Sequence, residues 1–530
     1  MNKRSILVIG LGSIAIAAFS GILLYHYVMN QRSAEQNFIS CAVYDIQKRT
    51  INITKDCSIS QASDSLKNPE LLRKVSDDGI WDLNSSILVS KGVSFSIKEP
   101  DVKWLRIISD GNSVVSLDPV GDRPFTEITP HTILVFGKLE VNGVMVTSWN
   151  AKRGNYVIQK SDGQIPRPYI TIAHGANASR IVDSIIAYLG YDSSRKQGLS
   201  FYGGDFSTII GNNIHDLWYG FFSSNVGHLL IENKTVSDNF KYGIDPHIRS
   251  HDIVVKNNKI SNSRIGLICS LYCSNIIFER NLISNNNDTG LMLSRHATNS
   301  TVRYNNISLS DVGLSISESN ENEVYQNQIS KNTHGLMISN NSTSNMVHDN
   351  NIIGASQCGI RVSFGVFRNN ISMNRVQDFN RSGICLWQDS AENVFKTNSI
   401  GGRGLYGIDV KNNYDSNLFH NNSIRLAKYG IRIYNSTGTL FVGNSIGNTY
   451  SHQYLVSGNS TLNLVNTHFL GDIIRASGTT VNRVNISDSG LVTVSTKMPS
   501  NNLSVIKSFE TDSTPYVANL SSVSLKLYSK

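Results

Sequence analysis

The sequence predicts an all-β fold, a right-handed parallel β-helix with coils of about 22–24 residues, set behind an N-terminal transmembrane helix. Three observations predict it. Glycines followed by an apolar residue fall at Gly198, Gly220, Gly243, Gly266, Gly290, Gly313, Gly335, Gly359, Gly383, Gly407 and Gly430, always 22 to 24 residues apart. Asn-x-Ile recurs in a second register at Asn212, Asn258, Asn281, Asn305, Asn327, Asn350, Asn369, Asn398, Asn422 and Asn444. Apolar residues alternate within short runs split by Asn or Gly, and no helical period of this length is present. Strands returning at this interval without helices stack as the coils of a solenoid. The LxxLxL frame of leucine-rich repeats is absent. The asparagines read as an internal ladder, since Asn tolerates left-handed bends and its amide can bond to the coils above and below.

Each segment takes its place in this frame. In residues 1–30, Lys3 and Arg4 precede an apolar run from Ile6 to Val28. A run of about 23 residues is long enough to span a bilayer and long for a signal-peptide core. It predicts a signal anchor with its basic end inside, a cleaved signal peptide being the alternative. Either way residues 40–530 are exported. Residues 31–75 read as a polar lead-in segment. Residues 76–180 read as early, irregular coils, with strand alternation in "HTILVFGKLEVNGVMVTSW" (His131–Trp149). Residues 181–470 are the regular β-helix, and 471–530 read as closing strands. A terminal cap is expected, because an open end exposes strand edges.

Composition narrows the function. The net charge of +8 suits an anionic partner, but it is spread too evenly for a nucleic-acid binder. No phosphate loop, dinucleotide fingerprint or metal cluster appears, so neither cofactor nor metal is expected. Calcium-binding Gly-Gly-x-Gly-x-Asp repeats are absent too. Of the six cysteines, Cys41 and Cys57 can close a small loop outside the membrane. Cys269 and Cys273 lack the second half and the histidines of a metal site. Sequons at Asn52, Asn233, Asn299, Asn435 and Asn519 are acceptors for glycosylation in an exported chain, although one this rich in Asn and Ser makes them by chance.

One coil departs from the pattern. The residue after each glycine points inward, so the second and fourth point out. The fourth outward column reads Tyr202, Ser224, His247, Ser270, Ser294, Ser317, Ser339, Ser363. The second reads Asp245, Ile268, Met292, Ser315. Asp245 and His247 therefore share an outward face, with Pro246 between them in an inward slot. Proline cannot donate to the ladder and breaks it locally. "LYGIDVKNN" repeats Tyr-Gly-Ile-Asp at Tyr406–Asp409 without Pro-His, so the first four residues are compatible with plain solenoid architecture.

"YGIDPHIRS" (Tyr242–Ser250) resembles the Asp-Pro-His motif of the mannuronan C5-epimerase family. "GKLEVNGVMVTSWN", "IAYLGYDSSRKQGLSF" and "LWYGFF" resemble the same family in the same order upstream, and "GLMLSRHATNS" does so downstream. The resemblance covers roughly residues 75–350. It implies an extracytoplasmic enzyme that removes H5 of a uronate and returns a proton to the other face. It implies that His247 is the base, Tyr242 the acid from the opposite face, and Asp245 the residue that orients the site. One position departs. Where the periplasmic members carry an arginine that neutralises the substrate carboxylate, this chain has Leu271 after "GLICS", with two residues fewer just before. Arg249 and Arg295 are the candidates to replace it, with Lys241 and Lys196 behind them.

Three functions are compatible with this reading: a C5-epimerase of a uronate polymer, a polysaccharide lyase sharing its carbanion, and a non-catalytic glycan-binding solenoid. The expected partners are an anionic polysaccharide and, through residues 1–30, a membrane. No nucleic acid is expected, and the chain is expected to be a monomer.

Overall fold

A computed structural model describes residues 40–109, 130–469, 473–476, 478–486, 492–497 and 505–509. The chain winds into a right-handed parallel β-solenoid of about 15 turns. Each regular coil lays down one strand on each of three faces, and each strand pairs in parallel with its counterpart one coil on. On the face that carries the glycines, Ile244 pairs with Leu267, Leu267 with Leu291 and Leu291 with Leu314.

The two sequence registers have separate causes. Leu199, Phe221, Ile244, Leu267, Leu291 and Leu314 are fully buried inside the coils, each contributing about 2 kcal/mol of apolar burial. The glycine before each is a packing requirement: a Cβ on Gly243 would lie 2.5 Å from the Gly266 carbonyl oxygen and 2.8 Å from Ile260 Cγ2. The asparagines bond from coil to coil through their side-chain amides. Asn258, Asn281 and Asn305 form one such ladder, at 2.9 Å per step. It continues through Asn327, Asn350, Asn374, Asn398, Asn422 and Asn444.

The single ladder expected from Asn-x-Ile is in fact two. Asn369 belongs to a second ladder with Asn322, Asn345, Asn393 and Asn417. Asn374 takes its place in the first. Lys234 bridges the gap between Asn212 and Asn258, its backbone N–H donating to Asn258 Oδ1 at 3.1 Å.

Residues 40–75 do more than lead in. Strand Thr50–Ile53 pairs in parallel with Ser86–Val89 and so belongs to the first coil. The helix Ile59–Leu66 starts at a capping box between Ser58 and Gln61 and buries Ile59 and Ala62. A disulfide joins Cys41 to Cys57 beside it. Cys269–Cys273 and Cys358–Cys385 are also disulfides. At the far end Thr480–Ile486, Val492–Lys497 and Val505–Phe509 pair antiparallel, the closing strands of the solenoid. The anchor expected over residues 1–30 lies outside the described residues. Among the described residues no helix is long and apolar enough to cross a membrane.

Candidate active site

Strand Tyr242–His247 carries the candidate residues. Its partners are regular on one side, where Phe222 faces Asp245 and Ser224 faces His247. On the other side pairing stops after Ile244 with Leu267. The next pair of coils stays in register to Ser270 with Ser294. Pro246 has no N–H to give, so the last three residues of the strand leave the ladder there.

Asp245 and His247 share the outward face, and His247 Nδ1 lies 3.3 Å from Asp245 Oδ1. Asp245 is nonetheless fully buried, whereas the His247 side chain keeps 14% of its exposure. The other carboxylate oxygen, Oδ2, is buried with no hydrogen-bond partner. Burial pushes the Asp245 carboxyl above its ordinary value, while the His247 bond and the charges of His247 and Arg295 pull it down. A proton on His247 Nδ1 donates to Asp245 Oδ1, and Nε2 is then the ring nitrogen able to accept one.

Aromatic rings wall the site on its upstream side. The Phe222 ring lies 5.4 Å from that of His247, and Tyr202 lies 5.7 Å from Phe222. Tyr219 sits 4.8 Å from Tyr242. Burial, then the Asp245 charge, raises the Tyr242 phenol, which Arg264 and Arg295 partly offset. The Tyr219 phenol is pushed far up by the same two causes. A phenol held protonated is a proton donor at neutral pH.

The four cationic candidates separate. Asn225, Ile248, Leu271 and Arg295 each come after an outward strand in a left-handed turn, with φ of 53°, 25°, 58° and 49°. Arg295 therefore occupies the slot of Leu271 one coil further on. It leans back, its Nε donating to Ser270 Oγ at 3.1 Å, and its charge acts on both Asp245 and Tyr242. Arg249 is exposed on the turn after His247. Lys241 places its ammonium 5.2 Å from the Trp218 ring centroid, and Lys196 lies 5.7 Å from that of Tyr191. Sequence reading missed Tyr219, Phe222 and Arg264. The first two lie within "LWYGFF", where a run of aromatics on an outward strand was the available signal.

Residues 150–344 match the family of NosD, a periplasmic copper-binding protein, and 365–494 match the right-handed β-helix region. Among curated proteins, the chain is 28% identical over 286 residues to the mannuronan C5-epimerase of Pseudomonas putida, covering 50% of this chain and 54% of that protein. It is 27% identical over 208 residues to that of Pseudomonas syringae pv. tomato, covering 36% and 38%. The chain thus spans about half or less of the length of these relatives. The crystal structure of the periplasmic alginate epimerase AlgG superposes with a TM-score of 0.57 at 22% identity, covering 66% of this chain and 85% of that one. That likeness shows the fold. The chain is a parallel β-helix protein with sequence similarity to mannuronan C5-epimerases, in line with the sequence resemblance.

All six cysteines are in disulfides, which removes thiolate ligands. Among the described residues, one group of three could hold a metal ion: His228, His251 and Asp252. There His251 Nδ1 bonds Asp252 Oδ2 at 2.8 Å, the same adjacent pairing seen at His215–Asp216 and His348–Asp349. The adjacent His–Asp contact thus recurs along the solenoid, while His228 joins it at this bend alone among the described residues.

Proposed function

We propose that the chain is an extracytoplasmic C5-epimerase of β-D-mannuronan or a related uronate polymer. One observation carries the reading: Asp245 is fully buried, with one oxygen on His247 and the other without a partner. Leaving a buried polar atom bare costs about 1–3 kcal/mol, and here the bare atom belongs to a carboxylate whose other oxygen meets a histidine. Three disulfides and the similarity to a periplasmic enzyme support the location.

The groups present suffice for the chemistry. H5 of a uronate is a weak acid because the carbanion formed at C5 is stabilised only by its neighbouring carboxylate. A cation must offset the charge that grows there. Arg295 is that cation, in the slot of Leu271 one coil on. His247 Nε2 takes the proton as the C5–H bond breaks, with Asp245 holding the tautomer. Tyr242 gives its phenolic proton to the opposite face of C5, where the new C–H bond forms. Solvent then deprotonates His247 and reprotonates Tyr242.

A lyase would share the carbanion but expel the C4 oxygen, leaving an unsaturated sugar. Incubation of the purified protein with polymannuronate, with readout by proton NMR and ultraviolet absorbance, separates the two. New C5-epimer signals without absorbance are expected. Absorbance without epimer signals moves the assignment to a lyase, and silence on every uronate polymer moves it to a glycan-binding solenoid.

A further inference from the structure

Past the active strand, the outward face is plain for several coils. The fourth column continues as Ser270, Ser294, Ser317, Ser339 and Ser363, in register from coil to coil and nearly buried. Trp387 pairs with Ser363, and Arg361 occupies the second column opposite Met337. Counting inward partners from Ile244 through Leu267, Leu291, Leu314, Leu336, Ile360 and Ile384, Trp387 lies six coils past His247. At one strand spacing per coil this is about 29 Å.

The groups there are built for an anion that also stacks. The Arg361 guanidinium lies 5.1 Å from the Trp387 ring centroid and 5.6 Å from that of Phe364. Arg381 lies 5.9 Å from the same tryptophan. Neither arginine forms an ion pair among the described residues. Arg361 Nε donates only to Ser363 Oγ, at 3.1 Å, and Arg381 Nε is buried without a partner. Asp409, whose carboxyl also feels the Arg381 charge, is held by Arg432 at 2.7 Å. Half-buried guanidinium groups with unused donors are placed to take an anion. Guanidinium forks match carboxylates, and a half-buried indole offers an apolar platform beside them.

We propose that Arg361, Arg381 and Trp387 form a second, non-catalytic binding site for the uronate polymer, which holds the chain at a distance while His247 acts on it. The identity of the polymer rests on the proposed function. The serine column supplies an uncharged path on the same face between the two sites. A long polymer engages both, and its second contact becomes intramolecular, whereas an oligomer shorter than about 29 Å engages one.

The test measures affinity of the full chain for long polymannuronate, for its tetrasaccharide and for a neutral mannan, together with H5 exchange on the tetrasaccharide. Trp387→Ala and Arg361→Gln are expected to weaken long-polymer binding about tenfold each, the size of one lost stacking or charge-assisted contact. Tetrasaccharide exchange stays unchanged, and Trp387→Phe keeps the wild-type affinity. His247→Ala still binds the long polymer, and the mannan does not bind. Long-polymer affinity at the wild-type level in both variants overturns the proposal, as does equal loss on polymer and tetrasaccharide, or a wild type that binds no uronate polymer. If no polymer exchanges H5, the proposed reaction fails, but the affinity comparison still decides this site.

Discussion

Tyr-Gly-Ile-Asp occurs twice on the outward face, at Tyr242–Asp245 and at Tyr406–Asp409, and the two copies are used differently. Both aspartates are fully buried. At the second copy Arg432 Nε donates to Asp409 Oδ1 at 2.7 Å, Trp387 Nε1 donates to Oδ2 at 3.3 Å, and Arg432 also reaches the Tyr406 hydroxyl at 3.1 Å. Both carboxylate oxygens are satisfied, and the charge is neutralised by a permanent cation. At the first copy one oxygen bonds a titratable imidazole and the other bonds nothing. The four residues are thus a way for a β-helix to bury an acid. What the acid faces decides whether both of its oxygens are satisfied.

Breaking the comparison starts with the base. His247→Gln should lower turnover on polymannuronate about 10³-fold, whereas Lys411→Gln, at the equivalent position of the second copy, should leave it unchanged; product NMR reads both. Arg295→Gln should cost about 10²–10³-fold in kcat, with a much smaller change for Arg249→Gln. Equal losses would mean that the turn after His247 carries the neutralising charge. Tyr242→Phe should cost about 10²-fold, and Tyr406→Phe nothing.

Stability should show the opposite preference. Asp409→Asn leaves Arg432 without its carboxylate and should destabilise by about 2 kcal/mol, read by denaturant unfolding. Asp245→Asn should change stability by less than about 1 kcal/mol at neutral pH while abolishing activity. The smallest effect is its pH dependence. Burial raises the Asp245 carboxyl, so the folded chain keeps that proton to higher pH than the unfolded one. From the unfolded value of about 4 up to the raised folded value, wild type therefore loses stability as pH rises. The stability difference between Asp245→Asn and wild type should shrink as pH falls through that window, and a constant difference would contradict it.

Much of the fold was legible in the sequence, for physical reasons. The glycine register comes from backbone contact between coils, so it survives every change of outward residue. The asparagine register was half legible: each coil has two bends that take Asn, and Asn369 fits the local pattern of one while sitting in the other. The strand stood out because Pro246 sits in a column of small and apolar residues and His247 interrupts a run of serines. Arg295 was a candidate in the sequence, but its lean toward Ser270 was not legible, since a turn residue's reach depends on which way its left-handed bend aims it. Nor was the burial of Asp245, which is outward by alternation yet covered by its surroundings. Lys241 and Lys196 are charges in the sequence, and their contacts with the Trp218 and Tyr191 rings were not legible there.

The most direct test of the central claim, that the Asp245–His247 pair moves the C5 proton, is deuterium incorporation at C5 of polymannuronate in D₂O. The expected result is label at C5 with wild type and with Lys411→Gln, and none above background with His247→Gln. Label that persists in His247→Gln, or no label with wild type while the polymer is bound, would contradict it.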